Sequence, residues 1–269
     1  VMQPHDPSKI PVLFIHGLAS TGATWASMFD ALRADPDLRQ RYEFWFFAYP
    51  SGYPYPYSAA ILRRELDDLQ KSAGSKHPMV VVGHSMGGFV TIATAALHPD
   101  HLTGVIVCDS PVTEPDPEIG EYHVRDAFGR ERIYATEAEA VDRFRTVPPQ
   151  EHYLPYVMDH VARRSLRRVD DGWKWKFDRT IFAQFTGGVR AVALPHLAAV
   201  TCRFALLRSE HGIVTREIGD AMYERLGRVA PVVEIPEAGH HAMLDEPLIL
   251  LTAIRTLLAD WDHSDPHRR

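Results

Sequence analysis

The sequence predicts an α/β protein in which helices cover both faces of a mostly parallel central sheet, with an inserted, mainly helical cap. Two observations lead to this fold class. Short Val-rich runs alternate with longer amphipathic runs over residues 1–112 and again over 198–269, which is typical of a parallel sheet buried on both faces. Residues 113–197, in between, contain no strand-like Val/Ile run. We therefore expect a core formed by 1–112 and 198–269, and a cap formed by 113–197 over the carboxyl edge of the sheet, where such sheets bind ligands.

The first half of the predicted core contains four strands and three helices. Each strand is a short apolar run, and each helix has apolar residues at helical spacing, as in Ile61, Leu62, Leu66 and Leu69. The strands are expected at 12–16, 42–49, 79–83 and 104–108, and the helices at 25–32, 58–69 and 86–97.

The rest of the chain resumes the alternation after the insertion. Helical patterns within the insertion cover about 137–144 and 153–166. Beyond it we expect a strand at 203–208, a helix through Met222 and Leu226, a strand at 231–235 and a last helix at about 247–261.

Composition limits the kinds of partner. The chain has 269 residues, of which 45% are hydrophobic and 24% charged, and a net charge of −6, so we expect no nucleic-acid partner. No run reaches the ~18 apolar residues of a membrane span. The start "VMQPHDPSK" lacks the apolar region of a signal peptide, which predicts a cytoplasmic protein if this is the native start. Cys108 and Cys202 lie in apolar runs and are read as core thiols.

A serine between a predicted strand and a predicted helix is the first chemical signal. The stretch "VVVGHSMGGF" contains G-x-S-x-G, with Gly83 two residues before Ser85 and Gly87 two residues after it. In this elbow the turn is tight and strained, and it lifts the Ser hydroxyl out of the sheet. The helix that follows supplies free backbone N–H groups to a developing oxyanion. We interpret Ser85 as the nucleophile.

A hydroxyl needs a base to accept its proton. Near the C-terminus, "IPEAGHHAMLDEP" places His240 and His241 between a strand and the last helix. His240 directly follows the glycine and is the chosen base, with the reverse choice, His241, left open. His16 and His84, each beside a turn glycine, are expected to make supporting hydrogen bonds.

The stretch "FIHGLAST" after the first strand offers the second donor of an oxyanion hole. The backbone N–H of Leu18 can point at the space above Ser85, and that of Met86 is the other donor. Gly17 and Trp25 are candidates for lining the substrate space here, although a role in the core is the alternative for Trp25.

Taken together, the motifs resemble the α/β-hydrolase fold family. The stretches "HGLASTGATW", "VVVGHSMGG", "HPDHLTGVIVCDSP" and "IPEAGHHAMLDEP" match its oxyanion loop, elbow, following strand and histidine loop in order and approximate spacing. The resemblance covers about 1–112 and 200–262. The cap region carries no motif that can be named.

The resemblance leaves the acid of the catalytic triad open. Many members carry it in a G-x-x-D loop before the histidine strand, but "LLRSEHGIVT" has Gly212 at that place, with Glu210 two residues early. A subset, similar to one branch of haloalkane dehalogenases and to zearalenone-lactonase-like enzymes, carries the acid after the strand that follows the elbow. Asp109 falls there, at the end of "GVIVC". Asp109 is the chosen acid, Glu210 is the alternative, and a simple turn at Asp109 is the third possibility.

The resemblance implies a serine hydrolase that cleaves a carboxylic ester or lactone of a small, largely apolar substrate, with no metal or organic cofactor. Thioester, amide and C–C bond hydrolysis use the same residues and stay open. A ligand sensor with a hydrolase-like fold is the rival from another class. The oligomeric state is not predicted.

The cap holds the residues that would select the substrate. Trp173 and Phe182 belong to the aromatic cluster "WKWKFDRTIFAQF" and are the candidates for an apolar pocket. The alternative is that these aromatic residues form a small core of the cap itself.

Overall fold

The computed structural model describes residues 5–18, 20–73, 77–114, 132–177 and 192–264. Within these ranges the chain folds around a six-stranded sheet and forms a separate two-stranded sheet. The strands of the central sheet are β1 Ile10–Ile15, β2 Tyr42–Phe47, β3 Met79–His84, β4 Leu102–Cys108, β7 Arg203–His211 and β8 Val232–Gly239. The two-stranded sheet consists of β5 Leu166–Val169 and β6 Gly172–Trp175.

All neighbouring strands of the central sheet run parallel, in the order β2-β1-β3-β4-β7-β8. In this order β1, β3 and β4 are adjacent, and β7 and β8 follow. The carboxyl ends of parallel strands meet at one edge of a sheet. The loops after β1, β3, β4, β7 and β8 therefore lie together, and this edge holds the candidate site.

Helices flank the sheet and connect its strands. In the described part of the chain, three of them begin after a residue whose side chain caps the helix, such as Thr215, whose hydroxyl accepts from the N–H of Ile218. The helices are α1 Ala26–Ala34, α2 Pro36–Arg41, α3 Tyr55–Ala73, α4 Met86–Leu97, α5 Glu137–Asp142, α6 Pro155–Arg164, α7 Leu194–Ala198, α8 Arg216–Arg225, α9 Ala242–Asp245 and α10 Pro247–His263, with single 3-10 turns at Gly22–Trp25 and Pro99–His101.

Two hydrophobic clusters lie on opposite faces of the sheet. On β1, Leu13 and Ile15 belong to one cluster, and Val12 and Phe14 belong to the other. Helices α3 and α4 contribute to the first cluster, and α1 and α10 to the second. Because side chains alternate along a strand, this division explains why the strands read as continuous apolar runs in the sequence. The predicted α/β fold, a parallel central sheet with helices on both faces, is confirmed.

The inserted segment departs from the sequence prediction in one respect. It was expected to lack strands, but β5 and β6 pair as an antiparallel hairpin around a turn in which Gly172 has a φ of +140°. The two residues between the strands are Asp170 and Asp171, and Gly172 pairs with Val169 at the start of β6. The flanking strands are short and rich in Arg, Lys and Trp, so they lack the Val/Ile runs used to identify strands.

The insertion packs against the core on the face that carries α1 and α10. Val157 and Val161 of α6 belong to the same hydrophobic cluster as Trp25 and Met243. Among the described residues, no helix combines the length and the apolar character that a membrane span requires.

Candidate active site

Ser85 lies in a strained turn between β3 and α4. Its φ is 54° and its ψ is −121°, a conformation that costs a non-glycine residue on the order of 1–3 kcal/mol. The two surrounding glycines allow the turn. A Cβ on Gly83 would lie 2.7 Å from the carbonyl carbon of Gly87, and a Cβ on Gly87 would lie 2.5 Å from the carbonyl oxygen of Ile15. Strand β1, its loop and the elbow therefore approach one another closely, as the G-x-S-x-G pattern requires.

His240 directly follows β8 and lies in the buried layer beside this turn. It is 3% exposed, and its Nδ1 lies 2.7 Å from Oδ2 of Asp109. A carboxylate only accepts hydrogen bonds, so Nδ1 is the protonated nitrogen of the neutral ring. Nε2, on the far side of the ring, is buried and has no hydrogen-bond partner among the described residues. Its lone pair is thus available to accept a proton.

Asp109 ends β4 with a φ of 45° and is 2% exposed. Besides His240, it accepts hydrogen bonds from the backbone N–H groups of Ser209 at 3.3 Å, Ile213 at 2.8 Å and Val214 at 3.2 Å. A buried carboxylate requires such compensation. One group from β7, two from the loop after β7 and His240 after β8 therefore hold this side chain in place.

Gly212 occupies the place where the resemblance leads one to expect an acid. A Cβ added there would lie 2.5 Å from Oδ1 of Asp109 and 2.6 Å from its Cγ, closer than real contacts allow. The Asp109 carboxylate thus fills the space that a side chain at position 212 would enter. Glycine at 212 and the carboxylate at 109 are complementary.

Glu210, the alternative acid, is directed elsewhere. It is exposed, and its Oε2 accepts a 2.9 Å hydrogen bond from the backbone N–H of Glu237. The side chain of Glu210 therefore forms its hydrogen bond with β8, whereas Nδ1 of His240 is hydrogen-bonded to Asp109.

The loop after β1 is held by two side-chain hydrogen bonds. Nδ1 of His16 donates to the carbonyl oxygen of Gly17 at 2.9 Å. The hydroxyl of Tyr49 donates to the backbone carbonyl oxygen of His16 at 2.8 Å. Burial lowers the pKa of His16, which keeps the ring neutral. In a trans peptide the N–H points opposite to the C=O. The bond to Gly17 thus fixes the direction of the Leu18 N–H, the candidate oxyanion donor.

Two further histidines surround His240. Nε2 of His84 donates to the backbone carbonyl of His240 at 2.9 Å. Burial, followed by the charge of His240, lowers the pKa of His84 to about 3 and that of His241 well below its ordinary value. Both rings are therefore neutral at pH 7. One ring nitrogen from each of the three histidines lies within 4.8 Å of the others, so these described residues could hold a metal ion. His84 and His240, however, each already use one ring nitrogen in a hydrogen bond.

Two residues at the histidine loop are absent from the sequence prediction. Asp245 accepts from the N–H of Gly239 at 2.6 Å, and Gln150 accepts from the N–H of His241 at 2.8 Å. Gln150 lies about ninety residues before the histidines, and its sequence neighbours show no pattern. No local signal could have identified it.

The candidate substrate-lining residues have different surroundings. Gly17 lies against Ser85. Trp25 is 1% exposed, and the centroid of its ring lies 5.1 Å from that of Phe14. Trp173 is half-buried against the small cluster of Tyr134, Ala140 and Leu166 in the insertion. Phe182 lies outside the described residues.

The family model described as "Alpha/beta hydrolase family" matches residues 12–253. Among curated proteins, the chain is 25% identical over 261 residues to Lipase LipV of Mycobacterium tuberculosis, covering 95% of each. It is 27% identical over 183 residues to 2-(acetamidomethylene)succinate hydrolase of Mesorhizobium japonicum, an alignment that covers 66% of this chain and 63% of that protein.

Solved structures show the same fold. The crystal structure of E-2-(acetamidomethylene)succinate hydrolase superposes with a TM-score of 0.76 at 21% identity, covering 94% of this chain and 92% of that one. An esterase from Mycobacterium tuberculosis superposes with a TM-score of 0.68 at 20% identity, covering 94% and 85%.

Proposed function

The chain belongs to the alpha/beta hydrolase family, and on that premise we propose that it is a serine hydrolase that cleaves a carboxylic ester or lactone of a small, largely apolar substrate. The observation that carries this proposal is the buried His240–Asp109 pair beside the strained Ser85. The pair places the protonated nitrogen of the imidazole on a carboxylate and leaves the other nitrogen without a partner among the described residues. This is the state that a general base needs before the reaction.

In the proposed first half-reaction, Oγ of Ser85 attacks the substrate carbonyl carbon and its proton passes to Nε2 of His240. The negative charge that forms on the carbonyl oxygen accepts hydrogen bonds from the N–H groups of Leu18 and Met86. The tetrahedral species then expels the alkoxide, which takes the proton from Nε2. The products of this half are an acyl-enzyme on Ser85 and the free alcohol, which for a lactone remains attached to the acyl group.

In the second half, water repeats the sequence. His240 accepts a proton from the water as it attacks the acyl carbon, and then returns that proton to Oγ of Ser85 as the carboxylic acid leaves. Asp109 remains ionised throughout. It keeps the imidazole in the correct tautomer and stabilises the imidazolium that forms in each half.

The experiment that tests this proposal uses Ser85→Ala. The wild type should hydrolyse short p-nitrophenyl esters and should be labelled covalently by a fluorophosphonate probe, whereas the variant should do neither. Because a Ser hydroxyl contributes little packing, the variant should unfold at nearly the wild-type temperature.

Labelling that persists in Ser85→Ala would show that another residue is the nucleophile. A wild type that neither turns over an ester nor reacts with the probe would favour the alternative of a ligand sensor with this fold.

A further inference from the structure

The side chain of Gln150 joins the inserted segment to the loop that carries His240. Its Oε1 accepts from the backbone N–H of His241 at 2.8 Å, and its Nε2 donates to Oδ2 of Asp245 at 3.0 Å. A backbone N–H can only donate, so the orientation of the amide is determined by its partners. One amide therefore spans both sides of the histidine loop.

Asp245 is the partner that completes this arrangement. It is 8% exposed, and the same Oδ2 that receives the Gln150 amide also accepts from the N–H of Gly239 at 2.6 Å. Burial raises the pKa of Asp245, and the backbone hydrogen bonds from Gly239 and Glu246 oppose that shift. The residues immediately before and after His240 are thus held by Asp245 and Gln150, respectively.

The fit at this junction is close. A Cβ on Gly239 would lie 2.9 Å from Oε1 of Gln150, so the amide lies directly over the backbone of the loop. A few residues further along, the N–H of Leu154 donates to the carbonyl oxygen of Leu244 at 2.8 Å. The insertion is therefore hydrogen-bonded to the 239–244 segment at His241 and at Leu244.

We propose that Gln150 is a positioning residue that holds the imidazole of His240 in line with Asp109 and Ser85. The expected effect of Gln150 on turnover rests on the proposed function. Its expected effect on the His240–Asp109 hydrogen bond does not depend on that function. Gln150 acts through the backbone of Gly239 and His241. This role requires a side chain whose planar end group carries both an acceptor, for the N–H of His241, and a donor, for Asp245. Displacement of a catalytic group by about 1 Å can reduce the rate by ~10²-fold.

This requirement gives Gln150→Glu a distinctive pH dependence. The glutamate can still accept from His241, but its second oxygen would face Oδ2 of Asp245, and two ionised carboxylates at that distance repel each other. At lower pH the pair takes up one shared proton, which restores a donor between the two oxygens. The activity of Gln150→Glu, divided by that of the wild type at the same pH, should therefore rise as the pH falls from 8 to 5.

The experiment compares kcat/KM over this pH range for the wild type, Gln150→Glu, Gln150→Met and the control Gln40→Glu, which changes an exposed glutamine of α2. We expect Gln150→Met to lose on the order of 10- to 100-fold at every pH. Gln150→Glu should lose as much at pH 8 but recover most of the loss at pH 5. Gln40→Glu should follow the wild type.

A second readout is independent of turnover. The proton between Nδ1 of His240 and Asp109 should give a downfield NMR resonance in the wild type and in Gln40→Glu, and this resonance should weaken in Gln150→Met. Wild-type turnover in Gln150→Met, or a pH course of Gln150→Glu parallel to that of the wild type, would overturn the proposal. If esters prove not to be substrates, an unchanged resonance in a folded Gln150→Met overturns it.

Discussion

At the scale of single residues, the site depends on two backbone conformations that few side chains adopt. Ser85 and Asp109 have φ values of 54° and 45°, and each directly follows a strand of the sheet, β3 and β4 respectively. The two strands are neighbours, and the N–H of Ser85 donates to the carbonyl of Cys108 at 3.1 Å. The strain at both positions persists because the surrounding hydrogen bonds offset it.

The neighbouring histidines give a prediction at this scale. His240→Ala should lower kcat/KM by ~10⁴-fold or more, as expected for a triad member. His241→Ala should stay within about tenfold of the wild type, because the hydrogen bond to Gln150 comes from its backbone. Steady-state kinetics on a p-nitrophenyl ester measure both values. The opposite order would transfer the role of base to His241.

At the scale of elements, the loop after β7 accommodates the carboxylate of Asp109 instead of supplying one. Its backbone N–H groups at Ile213 and Val214 point at Asp109, and Gly212 leaves the space that the carboxylate fills. The geometry explains why an acid at the end of β4 is compatible with this loop only if position 212 lacks a side chain.

This complementarity predicts the effect of a single methyl group. Gly212→Ala would place Cβ about where the Asp109 carboxylate lies, so the carboxylate must move and its bond to His240 must lengthen. We expect kcat/KM to fall on the order of 10²-fold, the scale of a 1 Å displacement. Gly219→Ala, in α8, is the control for general loss of a glycine, because a Cβ there would meet no heavy atom closer than 3.5 Å and the residue does not have a positive φ. Wild-type kinetics in Gly212→Ala would show that the carboxylate does not require this space.

Local sequence was sufficient for most of the fold. The six core strands occur where apolar runs predicted them, with boundaries displaced by a few residues, and α4 begins at Met86 and ends at Leu97 as predicted. The short helices α2, α7 and α9 were missed because they have too few residues for a periodic pattern. The β5–β6 hairpin was missed because its strands are charged.

The site could be predicted only where its chemistry follows a local motif. Ser85 and His240 lie in motifs with characteristic glycines. The hydrogen bond from His240 to Asp109 joins residues 131 positions apart, so the sequence could name Asp109 and Glu210 but could not choose between them by geometry. Gln150 has no motif, because its role depends on tertiary packing alone.

At the scale of the whole molecule, burial keeps several histidines neutral. His16, His84 and His241 each have a pKa below the ordinary 6.5, with burial as the first cause, and that of His84 falls to about 3. The unfolded chain takes up protons at these positions near pH 6.5, whereas the folded protein does so only at lower pH. Their stabilisation is therefore present above pH 6.5 and is lost as the pH falls toward the folded pKa.

We accordingly expect the free energy of unfolding to decrease between pH 7 and pH 5. For His84 the loss is about 1.4 kcal/mol per pH unit between the unfolded pKa near 6.5 and the folded pKa of about 3. Thermal unfolding followed by circular dichroism measures the trend. His84→Gln keeps a donor for the carbonyl of His240 but does not titrate, so its Tm should depend less steeply on pH. An equal slope in the variant would mean that His84 does not contribute to acid sensitivity.

Asp109, at the end of β4, is the proposed acid of the triad. The most direct measurement is kcat/KM for Asp109→Asn beside Glu210→Gln, each checked for folding by its unfolding temperature. A neutral amide at 109 leaves the imidazole in the wrong tautomer, so Asp109→Asn should lose roughly 10⁴-fold. Glu210→Gln should remain within about tenfold of the wild type, since its side chain bonds the backbone of Glu237. A large loss in Glu210→Gln together with near wild-type activity in a folded Asp109→Asn would contradict the account.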